Sequence, residues 1–537
     1  MSPDPVPAPE SPAPPRNVRM AAVIDIGATA IRMEIAEIDN QGGVRKLDSL
    51  SHGVQLGKDT FTRGRIQQST IQECVDVLKG FRRVMDEYGI TKPEQVRAVA
   101  TSSVREAQNR DTFLDRIYIT TRINVRAIDE AEENRLTFMA AQTVLADEPE
   151  LETGSLLVAD VGGGSTELLL LQEGHIVFSD SYRLGSLRMR ETLETHRATT
   201  ERVRTILGQH IQRLVEQVVR NLPVSTVPVL VAMSGDAHFA AAQLCLDWSE
   251  RKTARLDYKA LAGLNDKLLP TSVAKLVGKY QLTYQEAETV GPALLVYQHL
   301  ALAFKAEHIL VPKASFRDGL LKEMTLRGYW TGSFADQVRH SALALAEKYN
   351  VDAAHAAHVA DLCVRLFREL QPEHQLDQRY ELLLEVAARL HEVGGFISSR
   401  SHHKHSLYII QHSDLFGLTR EDLAIVALVA RYHRRALPAA THPEYMALGR
   451  DDRITVSKMA ALLRVADALE RNHLQQVRDL DFAREPGQFV IRVRNVEDLT
   501  LERLALKEKG GLFEEVYGMP AVLKEERFED AEARDGA

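Results

Sequence analysis

Apolar and polar positions form their sharpest pattern between Leu156 and Leu171, LLVADVGGGSTELLLL. There an apolar run meets Asp160, three glycines, Ser165, Thr166 and Glu167 before a second apolar run leaves. Short apolar runs bounded by turn residues predict buried strand, tight turn, buried strand. Glycine permits positive φ and lets bare backbone N–H groups approach a ligand, and an acid at each edge can hold a cation. The stretch therefore suits phosphate plus metal, although a Gly-rich hairpin with its acids in water would share the pattern. AAVIDIG at 21–27 repeats the apolar strand, Asp and Gly, with Asp25 in the place of Asp160, and IRMEIAEI at 31–38 comes next as the outgoing strand. The two acids lie 135 positions apart, so two related halves facing each other would set two acids and two N–H-lined turns around one cleft.

Elsewhere the spacing changes to that of helices. Ile66, Ile71, Val75, Leu78 and Val84 predict a helix over 65–88 that covers one face of the first half's sheet. RAVAT at 97–101 predicts a strand with Ser102, Ser103 and Arg105 at its end, where open α/β sheets place ligand contacts. Arg105 reads equally as a fork for phosphate oxygens or as a surface arginine at a helix start. Residues 128–146 begin with Asp129, Glu130, Glu132 and Glu133 and continue as a helix. The helix dipole accounts for acids in a first turn, and one of them facing the cleft would serve as a general base. After 325–336 the chain turns helical, and FVIRVRN at 489–495 then opens a small α/β unit or dimerisation element.

Composition narrows the setting. A chain of 537 residues with 45% apolar content can bury several cores, about three or four domains by length. Sixty-six basic against 75 acidic residues, a net charge of −9, argue against a general nucleic-acid binder; a polyanion would need local basic patches or metal ions. Cys74, Cys245 and Cys363 have no CxxC partner and fit a reducing compartment. The first fifteen residues carry seven prolines and cannot form a signal peptide, and no apolar run is long enough to span a membrane. A soluble cytoplasmic protein, with neither nucleic acid nor membrane as partner, is the expectation.

The doubled strand–Asp–turn unit resembles the actin-like ATPase and sugar-kinase superfamily. RAVATSSVREA at 97–107, IDEAEENRLTF at 128–138, VADVGGGSTEL at 158–168 and SFRDGLL at 315–321 further resemble the exopolyphosphatase and guanosine pentaphosphate phosphatase family, in order over residues 20–330. The resemblance implies an α/β fold of two actin-like, ribonuclease H-like lobes, at 20–146 and 147–330, preceded by a disordered tail at 1–19. It implies a phosphoanhydride hydrolase in which Glu133, the second acid of EENRL, activates water; Glu132 is the neighbour to be told apart from it. Asp25, Asp160 and Glu167 would hold Mg²⁺. Gly27, Thr29, Gly162, Gly163, Gly164, Ser165, Thr166 and Arg105 would cradle the phosphoryl group. Two departures stand out. The family's first turn reads Asp-x-Gly-Ser-Asn-Ser/Thr where this chain has Ala28, Thr29 and Ala30, a loss that Arg32 would have to offset. Asp236 and His238 stand at the Gly235 turn, where the superfamily meets the base or ribose of a nucleotide and the family has small residues.

The helical half at 337–480 carries His355, His358, the pair His391–Glu392, then His402, His403, His405, His433 and Asp467 on successive segments. It resembles the metal-dependent phosphohydrolases named for their His–Asp pair. His358, His391, Glu392 and Asp467 are the matching positions, with His405 and His433 for a second metal. The pair here is His–Glu, and in the phosphatase family such a module is an appendage without catalysis. Arg400, Lys404, Arg431, Arg434 and Arg435 form either a track for a long polyanion or a solvated surface. A small α/β unit is expected at 485–525 and a charged tail at 526–537. Inorganic polyphosphate is the first substrate expected and guanosine pentaphosphate the second. A weakly catalytic phosphate or nucleotide sensor, hydrolysis within the His-rich module, and a homodimer are left open.

Overall fold

The computed structural model describes residues 18–145, 154–193, 200–222, 228–326, 332–496 and 498–526. The expected Pro-rich tail up to residue 17, the expected lobe boundary at 146–147 and the charged tail from 527 lie outside these residues.

Each lobe is built on one mixed sheet. β1 (Arg19–Ile26), β2 (Ala30–Ile38) and β3 (Val44–Gly53) form an antiparallel meander, and β4 (Val96–Ala100) and β5 (Val125–Ala127) add on in parallel beyond β1. The second sheet repeats this start with β6 (Ser155–Val161), β7 (Thr166–Gln172) and β8 (His175–Tyr182), and β9 (Val229–Ala232) runs parallel to β6. β10 (Thr253–Asp257) and β11 (His308–Pro312) complete the order β10-β11-β9-β6-β7-β8.

β1 and β6 read as near-unbroken apolar runs because both faces of each sheet are covered. Ile24 and Ile26 pack under helices Gln68–Glu87 and Arg110–Thr121, while Val23 faces the opposite layer. That layer includes helix Phe316–Thr325, which comes after the second sheet in sequence yet returns to the first: Leu320 and Leu321 pack with Val23, Ala36, Val99, Ile128 and Leu136. Gly319 permits this crossing, since a Cβ there would lie 2.1 Å from the Leu136 carbonyl oxygen.

In β6 the same alternation joins the second lobe to the helical half. Leu157, Ala159 and Val161 face the lobe's own helices; Leu156 and Val158 belong to a core that continues into the helices of 333–469. Phe138 meets Phe416 edge-on at 5.6 Å within that shared core. β12 (Leu480–Glu485), β13 (Gln488–Arg494) and β14 (Ala521–Glu526) then form a small sheet, and helices Thr500–Lys509 and Gly511–Tyr517 pack on Arg450–Leu469. Among the described residues no helix is long and apolar enough to cross a membrane.

Candidate active site

The two hairpins match bond for bond. Gly27 N–H donates to the Ala30 carbonyl at 3.0 Å, and Gly162 N–H to the Ser165 carbonyl at 2.9 Å. Asp25 stands opposite Arg32 in the β1–β2 ladder, and Asp160 opposite Glu167 in the β6–β7 ladder. Each acid is the penultimate residue of its incoming strand, so both reach one cleft between the lobes.

The glycines work differently from the sequence expectation. None of Gly27, Gly162, Gly163 and Gly164 has positive φ. What matters is close approach: a Cβ on Gly163 would lie 3.0 Å from Ala28 Cβ, and one on Gly164 would lie 2.1 Å from Ser102 Oγ and 2.8 Å from Phe61 Cζ. The bare turn of the second lobe thus nests against the first, and Ala28 is buried in the contact. Helix Ser186–Thr192 ties down the turn from behind, with the Ser186 N–H on the Gly162 carbonyl at 3.0 Å and the Leu187 and Arg188 N–H groups on that of Gly163. Arg188, which nothing in the sequence pattern singles out, donates to the Gly164 carbonyl at 2.6 Å, stacks on Phe61 at 4.0 Å and pairs with Glu106.

Helix Glu130–Leu145 separates the two candidate bases. Asp129 accepts the Glu132 N–H at 2.9 Å and fixes the helix start. Glu132 then faces a buried ion network, 2.5 Å from Arg97, in which Glu323 bridges Arg97 and Arg135. Glu133 enters the cleft and accepts a hydrogen bond from Arg105 at 3.0 Å. Two residues expected to contact phosphate have protein partners here. Arg105 directs its fork to Glu133 and the Ile128 carbonyl, and the Thr166 hydroxyl donates to the Leu184 carbonyl at 2.9 Å with no exposure. Both groups already have buried partners, as buried polar groups generally do.

The cleft is a cavity of about 230 Å³ that gathers Asp25, Gly27, Thr29, Glu133, Asp160, Gly162, Gly163, Gly164, Ser165 and Glu167. Arg32, Arg317 and Asp236 also line it. Arg317 lies 3.3 Å from Glu34 and 3.8 Å from Asp25, whereas Arg32 makes no ion pair among the described residues. The acids outnumber these cations. Burial pushes the Asp160 carboxyl up to about 8 and that of Asp236 up to about 7. Glu133 is raised by burial and by the Glu167 charge, Glu167 by burial and by Asp160, and Asp25 by burial. Among the described residues, the oxygens of Asp25, Asp160 and Glu167 do not form a set within 4.8 Å of one another. At the far wall, His238 is bonded through its ring to the Pro312 carbonyl at 2.9 Å.

Residues 34–328 match the Ppx/GppA phosphatase family, and residues 338–506 match the domain III of that family. The chain belongs to the Ppx/GppA phosphatase family. Members of this family are phosphoanhydride hydrolases. A Photobacterium profundum protein named guanosine-5'-triphosphate,3'-diphosphate pyrophosphatase is 23% identical over 466 residues, covering 85% of this chain and 88% of its own. A like-named protein of Aliivibrio fischeri is 23% identical over 456 residues, 83% of this chain and 86% of its own. The crystal structure of an exopolyphosphatase from Cytophaga hutchinsonii aligns with a TM-score of 0.51 and 23% identity, over 57% of this chain and 98% of that one. The fold is thus shared with that structure, two mixed-sheet α/β lobes, and here it carries a helical C-terminal region.

In domain III the histidines regroup. His391 and Asp467 meet His355, not His358, with ligand atoms within 4.8 Å of one another. Three residues along a helix turn a side chain by about 60°, which carries His358 out of the cluster, 3.5 Å from Glu470. Glu392 converges with His355 and His473, a residue outside every motif of the sequence. His433 Nε2 lies 3.1 Å from His402 Nε2, and His405 is half-buried and in neither group. Of the basic residues, Arg431 pairs with Glu444 at 3.3 Å and Arg434 lies 3.4 Å from the His402 ring nitrogens; Arg400, Lys404 and Arg435 are exposed. Lys404, Arg434 and Arg435 surround His403, whose pKa is pushed down to about 4, chiefly by burial.

Proposed function

We propose that the cleft removes the terminal phosphate of inorganic polyphosphate, with Glu133 accepting a proton from the attacking water. One observation carries this reading: Glu133 shares a cavity with Asp25, Asp160 and the guanidinium of Arg32, which makes no ion pair among the described residues, while Glu132 is held in an ion network elsewhere. Phosphoryl transfer asks the protein mainly for positioning and charge stabilisation, and these groups supply both. Arg32 takes the role of phosphate partner expected of Arg105, and Arg105 orients Glu133.

The donor set fits Mg²⁺. Its ligands would be hard carboxylate oxygens in surplus over the cations, with burial raising their protonation. Asp25, Asp160 and Glu167 would hold the ion directly or through its water shell, most of which Mg²⁺ keeps in such sites. Bound there, the ion would neutralise charge on the phosphoryl oxygens.

Guanosine pentaphosphate is the second reading, favoured by the name of the Photobacterium profundum protein and by a cavity that extends past the phosphate turns to Asp236 and Phe239. Phosphate release from polyphosphate and from guanosine pentaphosphate, side by side with and without Mg²⁺, tests both. Faster turnover of the nucleotide at equal terminal phosphate would replace the first reading by the second. No release from either would end the hydrolase proposal. The three free cysteines fit a cytoplasmic setting for this chemistry.

A further inference from the structure

Domain III holds donors that the cleft does not use. His355 on helix Ala353–Glu369, His391 at the end of helix Arg379–Leu390 and Asp467 on helix Arg450–Leu469 are all buried and converge to within 4.8 Å. His391 Nδ1 lies 2.6 Å from the Ala388 carbonyl, so that nitrogen carries the proton and Nε2 keeps a lone pair. That Nε2 is buried without a hydrogen-bond partner, and so are both ring nitrogens of His355. Buried polar atoms are nearly always partnered, so an orphaned nitrogen on each of two imidazoles that converge beside a carboxylate calls for an occupant.

The geometry points to a divalent transition ion of zinc's class, bound by His355, His391 and Asp467 and tying three helices of domain III together. Two imidazoles and a carboxylate select such borderline ions over Mg²⁺, which prefers oxygen alone. The surroundings agree. A metal-bound imidazole characteristically donates its other N–H to a backbone carbonyl, as His391 does to Ala388, and a metal-bound carboxylate takes a further hydrogen bond, as Asp467 takes one from Lys509. Three protein ligands leave a fourth position, and the His433 ring stands near the cluster with its centroid 4.9 Å from that of His391. The rival occupant is Lys509, whose ammonium already pairs with Asp467. The inference is independent of the cleft and of its substrate.

The test uses the full chain, treated with a chelator and titrated with Co²⁺, whose visible absorption reports nitrogen ligation and tetrahedral geometry. The wild type is expected to develop the band, to lose it to Zn²⁺ and to melt at higher temperature with either ion bound. The band should vanish in His355→Gln combined with His391→Gln and persist in His358→Gln. Because the wild-type titration needs no variant to fold, absence of the band there overturns the proposal outright. A band undiminished in the double variant, or one that appears only in Lys509→Met, overturns it as well.

Discussion

Arg105 donates to Glu133 at 3.0 Å, while Arg97 holds Glu132, one residue earlier on the same helix, at 2.5 Å. Adjacent acids therefore face different surroundings, one a cleft and the other an ion network. Glu133→Gln should lower kcat by about 10²–10⁴-fold with little change in KM, because the amide keeps shape but cannot accept the proton. Glu132→Ala should instead cost about 3–5 kcal/mol of stability, as removal of one partner from a buried ion pair does. Steady-state kinetics and thermal melts on the two variants separate the roles. Retained turnover in Glu133→Gln would remove it as the base.

The raised carboxyls of the cleft set a pH dependence. A carboxyl whose folded pKa exceeds its unfolded value binds more protons in the native state. Its destabilising effect is absent below the unfolded value of about 4 and grows to its full size as pH rises through the folded value. For Asp160, raised to about 8 by burial, the metal-free protein should lose thermal stability as pH climbs between those limits. Asp160→Asn should flatten that loss, and Mg²⁺ should offset it in the wild type. Equal slopes for wild type and Asp160→Asn would show that the carboxyl is not strained by its site.

Much of this was legible in the chain and some was not, for identifiable reasons. The strand–Asp–turn–strand repeat depends on local apolar patterning, so both hairpins and the cleft between them could be anticipated from residues 21–38 and 156–171. Side-chain partners depend on contacts distant in sequence. Arg105 turned to Glu133, Thr166 to Leu184, and Arg188 closed the second turn onto Phe61, none of which has a local signal. The choice of His355 over His358 turned on helix rotation, which the spacing of apolar residues left undetermined by one turn.

Gly164 gives a steric test of the lobe contact. A methyl there would meet Ser102 Oγ at 2.1 Å and Phe61 Cζ at 2.8 Å, so Gly164→Ala should destabilise by about 1–3 kcal/mol and depress turnover by displacing the turn. Ser102→Gly should partly rescue both, since it removes the nearer obstacle. A Gly164→Ala protein with wild-type melting and activity would contradict the nested turns.

Arg32 occupies the ladder position in the first hairpin that Glu167 occupies in the second, and it is the cleft guanidinium without an ion pair among the described residues. Arg32→Gln should therefore weaken substrate binding and transition-state stabilisation together. A charged hydrogen bond worth about 1.5–3 kcal/mol corresponds to roughly a 10–150-fold loss in kcat/KM. Arg105→Gln should differ in kind: it withdraws the cation beside Glu133, so the alkaline-rising limb of the pH–rate profile should move upward. Similar pH profiles for the two variants would refute this division of labour.

The basic residues of domain III bear on chain length. Because this domain shares an apolar core with the second lobe through Leu156, Val158 and Phe138, cutting it away would expose that core and confound any loss of binding with misfolding. Charge reversal at the exposed Lys404 and Arg435, together with Arg434, avoids the problem. If polyphosphate runs over this patch, the triple reversal should weaken affinity most for long chains and least for short ones. The slope of log affinity against log salt should also flatten by up to about 0.7 per lost phosphate contact, the value for single-stranded polyanions. Arg431 belongs in a control, since its pairing with Glu444 leaves it less available to a passing phosphate. A folded triple variant with unchanged chain-length preference would reduce the patch to a solvated surface and leave substrate choice to the cleft alone.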